Sequence, residues 1–394
     1  MAKGLDVVIV GGGIIGLAGG YFLSRKKKRV LVIDKGGFAD GASGACDDMI
    51  LFQSKKPGIN LELTFESLEL YKRLIVDFDD EMQFKNLGGM VLIENDAELA
   101  IMEQFVAEQR SYGLDVEVIG QQDARKKQPF LSDHIIASTY SMMDSQIDPF
   151  HVMRALEKHG LKLGMGIQRR NGVVAIERLG NGNWSVVCED GSTHEAPVVV
   201  NAAGAWAPSI AQMVGATVPI VPKRGQIVLS ERIPPIGETN LWNAKYLVTK
   251  LHKGTEVQMT DEERELGLSL AFTRSAGNTY LMGSTREYVG YDKGTTIAGI
   301  RGIIDMTLSY LPKMKDVGIV RAMAGLRPET PDGKMILGEH KNLDGFYTAA
   351  GHEGDGIALA PVTAKLLSDL ICGNPIDRDL GELSPNRFGG MAHE

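Results

Sequence analysis

Three short stretches of this chain carry residues whose types and spacing suit chemistry on a bound nucleotide and a small anion. The first is Gly11-Gly12-Gly13-Ile14-Ile15-Gly16, a G-x-G-x-x-G pattern after the apolar run Val7–Val10. In that setting Gly11 makes a tight turn, Gly13 lets backbone approach a pyrophosphate, and Gly16 lets a helix pack closely on a strand. The positive end of that helix then faces the phosphates. Asp34, 18 residues beyond Gly16, ends a second apolar run and is placed to accept hydrogen bonds from a ribose, with Lys35 beside it. The second stretch is Gly325-Leu-Arg-Pro328, where the planar fork of Arg327 suits a carboxylate. The third is Gly351-His-Glu-Gly-Asp-Gly356, leading into an apolar helix whose N-terminus can stabilise negative charge.

These pieces need scaffolding. Val7–Val10, the glycine turn, a helix to about Arg25 and a strand Val30–Ile33 make a complete βαβ unit. Amphipathic helices are predicted over 60–79 and 96–110. Another opens at Asp148-Pro149, with Gly160 past its end. Val173–Leu179 and Trp184–Glu189 flank Gly180-Asn-Gly-Asn183 and read as a hairpin. Pro197–Val200 is a short strand running into Asn201-Ala-Ala-Gly204. Residues 219–290 alternate β-like runs with turns, as in an antiparallel sheet. Gly345–Ala350 is a strand feeding the last helix, with Pro361 in its first turn and Gly373 at its end.

The chain has 394 residues, 43% hydrophobic and 23% charged, ample for a large core without disulfides or metal. A net charge of −8 argues against non-specific nucleic-acid binding. The basic run Arg25–Arg29 reads as a solvated helix end. Three well-separated cysteines, with no CxxC and no signal sequence, point to a reduced, cytoplasmic setting. The histidines show no metal-ligand spacing, so no metal is expected, and no apolar run is long enough to span a membrane. A second G-x-G-x-x-G is absent, which points to electrons from an organic substrate rather than from a nicotinamide.

Taken together, these stretches resemble the D-amino-acid-oxidase-like family of FAD oxidoreductases, which includes glycine oxidase, sarcosine oxidase, D-amino acid dehydrogenases and the FAD subunits of opine and hydroxyproline dehydrogenases. The likeness adds the loop Gly41-Ala42-Ser43-Gly44 through Met49, the stretch Val173-Val174, the segment Asn201-Ala-Ala203-Gly204-Ala-Trp206, and Pro222–Gln226, where Arg224 reads as structural. It implies an α/β fold: a discontinuous Rossmann-like FAD-binding domain (1–85, 145–218 and 325–394) and an α+β substrate domain with a largely antiparallel sheet (86–144 and 219–324). It also implies non-covalent FAD held by Gly11, Gly13, Ile14, Ile15, Gly16, Asp34, Lys35, Ala42, Ser43, Gly44, Met49, Val174, Ala203, Gly204, Trp206, Arg327, Gly354, Asp355, Gly356 and Ile357.

The family's chemistry is hydride transfer from the carbon beside an amine nitrogen to flavin N5, giving an imine from a small amino-acid-like substrate. Arg327 would hold the substrate carboxylate. Tyr246, on a family strand, and His352 are further candidates at the substrate, each with a structural role as its alternative. Where glycine oxidases tend to carry a second arginine in the C-terminal turn, this chain has Glu353-Gly354-Asp355. That departure suits a substrate group other than a bare carboxylate. Leu281–Asp292 and Phe52–Pro57 look most like the opine and hydroxyproline dehydrogenase subunits, which implies electron-accepting partner subunits in a hetero-oligomer. The competing expectations are an FAD-dependent 2-hydroxyacid or glycerol-phosphate dehydrogenase, an electron-relay flavin subunit, and an NAD-binding module.

Overall fold

A computed structural model describes residues 4–79, 81–251, 259–275 and 277–389; the side chains of residues 246 and 249–251 lie outside that description. The chain opens with β1 (Val7–Val10), α1 (Ile14–Arg25) and β2 (Val30–Ile33). The strands pair in parallel with Val7 opposite Val30, so the βαβ unit is present as read. They are the centre of a six-stranded sheet ordered Ile336–Glu339, Phe346–Ala350, Val198–Asn201, β1, β2, Gly166–Gln168. Every neighbour pair is parallel except the first.

The all-apolar character of β1 and β2 follows from burial on both faces. Val7, Ile9, Val30 and Val32 face a core shared with α1 and the helices Ile59–Asp77, Pro149–Lys162 and Gly356–Cys372. Val8, Val10, Leu31 and Ile33 face the other way, onto Ile176, Trp184 and Val186 of a three-stranded antiparallel sheet. Within that sheet Val173–Arg178 pairs with Trp184–Cys188, as the hairpin reading required.

The second large sheet has eight strands: Ile319–Glu329, Val221–Ser230, Tyr280–Gly283, Ala271–Arg274, Asn240–Asn243, Gly89–Ile93, Ala137–Ser141 and Glu117–Gly120. It is antiparallel apart from the contact of Asn240–Asn243 with Gly89–Ile93. The sequence thus located both the parallel and the antiparallel parts of an α/β molecule. The basic run Arg25–Arg29 is spent locally, with Arg25 paired to Asp77, Lys26 to Asp369 and Arg29 to Asp6.

Three local expectations are corrected. Residues 245–249 are not strand but part of helix Ala244–Leu251, because Ala244, Leu247 and Val248 stand at helical spacing and all three are buried. Gly160 does not end its helix, which runs on to Lys162. It is there because a Cβ would lie 2.4 Å from the Met165 methyl. Pro361 lies in the second turn of its helix, not the first. There it cannot supply the N–H that Ile357 C=O would normally accept. The Tyr71 hydroxyl takes that place, donating to Ile357 O at 2.7 Å.

Candidate active site

The glycine turn sits where strand order reverses, with β2 on one side of β1 and Val198–Asn201 on the other. Ligands of open α/β sheets bind at such a point, beyond the carboxyl ends of the strands. Gly11 has φ +113°, and a Cβ there would lie 2.3 Å from Ala202 O. At Gly16 a Cβ would lie 1.8 Å from Gly11 O, so helix and turn touch as the motif demands. Gly13 has open space around its Cβ position except for Ser43 Oγ at 3.3 Å.

A cavity of about 420 Å³ opens from this turn. Its wall includes Gly11, Gly13, Ile14, Ile15, Asp34, Lys35, Ala42, Ser43, Ala203, Gly204 and Trp206 at one end. Arg327, His352, Gly354, Gly356 and Ile357 line the other. Segments more than 300 positions apart in the chain therefore meet here, as the three opening stretches required. Asp34 organises its own surroundings. Its carboxylate accepts from Gly12 N at 2.5 Å and from Gly36 N at 2.6 Å. Ser43 Oγ accepts from Ile14 N at 3.1 Å, tying the second loop to the tip of α1. The Lys35 ammonium lies 3.8 Å from the Trp206 ring centre, and burial lowers its pKa.

Some nominated residues fall elsewhere. Gly16 sits behind the wall, as its packing role predicts, and Gly44 has its Cβ position 2.0 Å from Ala39 O. Val174 points to solvent and is 51% exposed, while its neighbours Gly172 and Val173 line the cavity. Met49 and Asp355 line a second, smaller space. The segment bearing Tyr246 is helical, and its side chain is outside the described residues.

That second space is a cavity of about 90 Å³, which shares Asp47, Arg327, Glu353 and Gly354 with the first. Arg327 Nη1 donates to Thr285 O at 3.0 Å and Nη2 to Ser284 Oγ at 2.8 Å. Asp332, the partner that a purely structural Arg327 would take, is instead paired with Arg387 at 2.8 Å. Arg224, read from the sequence as structural, is buried and bonded to Glu287 and Asp292. Asp355 is paired with the buried Lys55 at 2.5 Å, and Glu353 with Lys223 at 3.1 Å. Glu353 holds φ +48°, a conformation uncommon outside glycine, at the junction of the two cavities.

His352 is buried, and burial pulls its pKa down to about 3. Its Nε2 lies 3.0 Å from Thr363 Oγ1, and that hydroxyl donates to Leu359 O at 2.8 Å. The ring therefore donates from Nε2 and keeps Nδ1 as acceptor. Sequence reasoning missed Arg286, Trp242, Lys55 and Lys223. Only Arg286 carried a signal, as a charge placed just after the apolar strand Tyr280–Gly283.

Among the described residues no cluster suits a metal ion, and no helix is long and apolar enough to cross a membrane. Compared with known proteins, the chain is 28% identical to glycine oxidase of Geobacillus kaustophilus over 99% of both chains. A crystal structure of glycine oxidase from that organism superposes with a TM-score of 0.87 at 25% identity, over 97% of this chain and 98% of the other. Hydrogen cyanide synthase subunit HcnC of Pseudomonas aeruginosa is 25% identical over 98% of this chain and 97% of that one. L-proline dehydrogenase from P. horikoshii shares the fold with a TM-score of 0.86 at 23% identity, over 99% of each chain. The model of the FAD dependent oxidoreductase family matches residues 6–370, so this chain belongs to that family and is an enzyme with FAD as its cofactor.

Proposed function

We propose that this enzyme oxidises the C–N bond of a small amino acid or secondary-amine amino acid to an imine. The observation that carries the reading is the position of Arg327 on the wall common to the large and the small cavity. A carboxylate held there by the guanidinium would lie where the two spaces meet.

The large cavity fits FAD on its own observations. The side-chain-free surface at Gly11–Gly13 and the helix tip at Ile14 suit a pyrophosphate, and Asp34 suits a ribose. Ala42, Ser43, Ala203, Gly204 and Trp206 would line its course, and Gly354, Gly356 and Ile357 would meet its far end. We read the cofactor as non-covalently held, with the parallel sheet and its helices as the cofactor domain and the antiparallel sheet as the substrate domain. When bound, FAD supplies a two-electron acceptor for the hydride that leaves the α-carbon.

The protein's own part is positional and electrostatic. Arg327 fixes the substrate through its carboxylate. The N-terminus of helix Gly356–Cys372 presents partial positive charge to the cavity. His352 stays neutral at physiological pH and offers hydrogen bonding without a charge. Trp242, Leu247 and Met49 give the small cavity apolar wall that excludes water from the reacting carbon.

The test is anaerobic stopped-flow reduction of the FAD-loaded enzyme with glycine, sarcosine, proline, D-amino acids, opines, 2-hydroxyacids and glycerol phosphate. Bleaching by amines alone is the expected result. Bleaching by a hydroxyacid or glycerol phosphate instead would overturn the reading. The subunit named in the HcnC relative supports transfer of electrons to a partner chain. Reduced enzyme that reoxidises slowly in oxygen and fast with an artificial acceptor would bear that out.

A further inference from the structure

Between the strand Tyr280–Gly283 and the helix Ile297–Tyr310 the chain makes an excursion over residues 287–296. Both of its ends are fixed to the strand Val221–Ser230. Arg224 N donates to Glu287 O at 2.8 Å, and Glu287 N returns a bond to Arg224 O at 3.0 Å. The Arg224 side chain, itself buried, bonds Glu287, Asp292 and Gly294 O. Gln226, also buried, holds the far end: it accepts from Thr296 N at 2.8 Å and donates to Thr296 Oγ1 at 3.1 Å. The structural role of Arg224 is therefore specific, because it shapes this loop.

The middle of the loop reaches from the antiparallel sheet to the parallel one. Tyr291 Oη donates to Ala205 O at 3.3 Å, and its ring stacks on Trp206 with centres 5.7 Å apart and planes 24° apart. Lys293 Nζ donates to Asp40 O at 3.1 Å and to Asp40 Oδ1 at 3.2 Å. Ala205 and Trp206 follow the strand Val198–Asn201, and Asp40 follows β2. Those two strands flank β1 on opposite sides. A segment bonded to both sides crosses the carboxyl end of β1, where the glycine turn opens. Asp40, Ala205, Trp206 and Lys293 all belong to the wall of the large cavity.

We infer that residues 287–296 form a strap that retains FAD, with Tyr291 and Lys293 as its two latches. Tyr291 is a positioning residue: it acts through Trp206 and does not itself line the cavity. Lys293 adds positive charge to the rim of the cavity whose glycine turn suits a pyrophosphate. The cofactor leaves only when the strap lifts, so the latches set its rate of release. The inference goes beyond the amine reading. It needs FAD as the cofactor and holds whatever substrate the enzyme oxidises.

Both latches stand at the surface. Tyr291 is 46% exposed, and the side chains of Lys293 and Asp40 are 39% and 59% exposed. Their removal therefore leaves the core packed, which makes the experiment readable. It measures the rate at which FAD leaves the loaded enzyme, as the rise of flavin fluorescence after dilution. Tyr291→Ala loses a stacked ring and a hydrogen bond and should release FAD about tenfold faster than wild type. Tyr291→Phe keeps the ring and should stay within about threefold of wild type. Lys293→Gln should release FAD about threefold faster, the modest effect of an exposed ion pair. Raising salt from about 0.05 to 0.5 M should speed release from wild type by a similar factor and leave Lys293→Gln unchanged. Because the strap lifts only when both latches part, the Tyr291→Ala/Lys293→Gln double variant should multiply the two effects to about thirtyfold.

Val289→Ala, on the same loop but outside both latches, should release FAD at the wild-type rate. With saturating FAD every variant should melt within about 2 °C of wild type. Release from the double variant at the wild-type rate would overturn the inference, since the loop would then have no hold on the cofactor. So would a Val289→Ala variant that releases FAD as fast as Tyr291→Ala, or melting points at saturating FAD that fall in step with the release rates. Either result would make the loop a support of the fold alone.

Discussion

The two cavities are built from different materials. The large one is shaped by backbone: glycines at 11, 12, 13, 204, 351, 354 and 356, and the tips of two helices. The small one is shaped by side chains: two arginines, three carboxylates, Trp242 and a set of apolar residues. A backbone-built site demands particular residues at fixed offsets, because only glycine permits the close approach. A side-chain-built site draws single residues from distant strands and leaves no local pattern. The difference predicts that damage to one should spare the other.

The largest effect should come from the backbone-built side. Gly16→Val places side-chain atoms where even a Cβ would be 1.8 Å from Gly11 O, and backbone there has no room to shift. Overpacking of this kind costs about 3 kcal/mol or more. The expected product is a colourless, less stable protein by absorbance and thermal melting. A yellow protein of normal stability would break the proposed tie between glycine packing and cofactor binding. On the other side, Arg327→Ala should leave flavin content intact and weaken substrate binding. Stranding a partly buried carboxylate costs roughly 3–5 kcal/mol, on the order of a hundredfold or more. If flavin and substrate affinity fell together, the two cavities would not be separable.

The same contrast explains what the sequence disclosed. The glycine elbow, Asp34, the loop of Ala42–Gly44 and the C-terminal turn were all legible, because backbone requirements are written locally. Of the stretch Val173-Val174, Val173 lines the cavity and Val174 turns its side chain to solvent, because a strand alternates its faces. Arg286 was passed over because it reaches the small cavity only in the fold, where its guanidinium donates to Ser269 on a neighbouring segment. Tyr246 was assigned to a strand although Ala244, Leu247 and Val248 already stood at helical spacing. Lys55 and Lys223 fall within the stretches Phe52–Pro57 and Pro222–Gln226, where no pattern assigned them a role of their own. Only the fold shows them buried against Asp355 and Glu353.

Histidine titration sharpens the comparison at its edge. His352, on the cavity wall, and His340, behind the sheet, are both buried with pKa values drawn down to about 3 and about 4. The unfolded chain takes up these protons below about pH 6.5, and the folded chain does not until far lower. The unfolded state therefore binds more protons in that window, and stability falls as pH drops below about 6.5. Each histidine contributes a loss of about 2 kcal/mol by pH 5. Asp144, its pKa raised to about 6 by burial, works in the opposite sense over the same range. Comparing His340→Gln with wild type cancels that term. The variant should show a flatter decline in unfolding free energy between pH 6.5 and 5, measured by urea titration. Parallel declines would mean that His340 is protonated in the folded state. Because His352 remains neutral, its ionisation should be absent from the pH profile of kcat between pH 5 and 9.

The smallest effect tests where the two materials meet. Helix Gly356–Cys372 contributes its tip to the large cavity, yet Pro361 leaves Ile357 C=O without its helical donor. Tyr71 fills the gap from another helix at 2.7 Å. A buried carbonyl that loses its only donor costs about 1–3 kcal/mol, so Tyr71→Phe should lower stability by that amount. Pro361→Ala restores a backbone N–H at the right place. In a double-mutant cycle, Tyr71→Phe should therefore cost much less in the Pro361→Ala background than in wild type. Additive costs would mean that the hydroxyl stabilises the helix by packing alone. A coupled pair would make a side chain on Ile59–Asp77 part of the backbone that shapes the cofactor cavity, a dependence that no local motif in either helix could record.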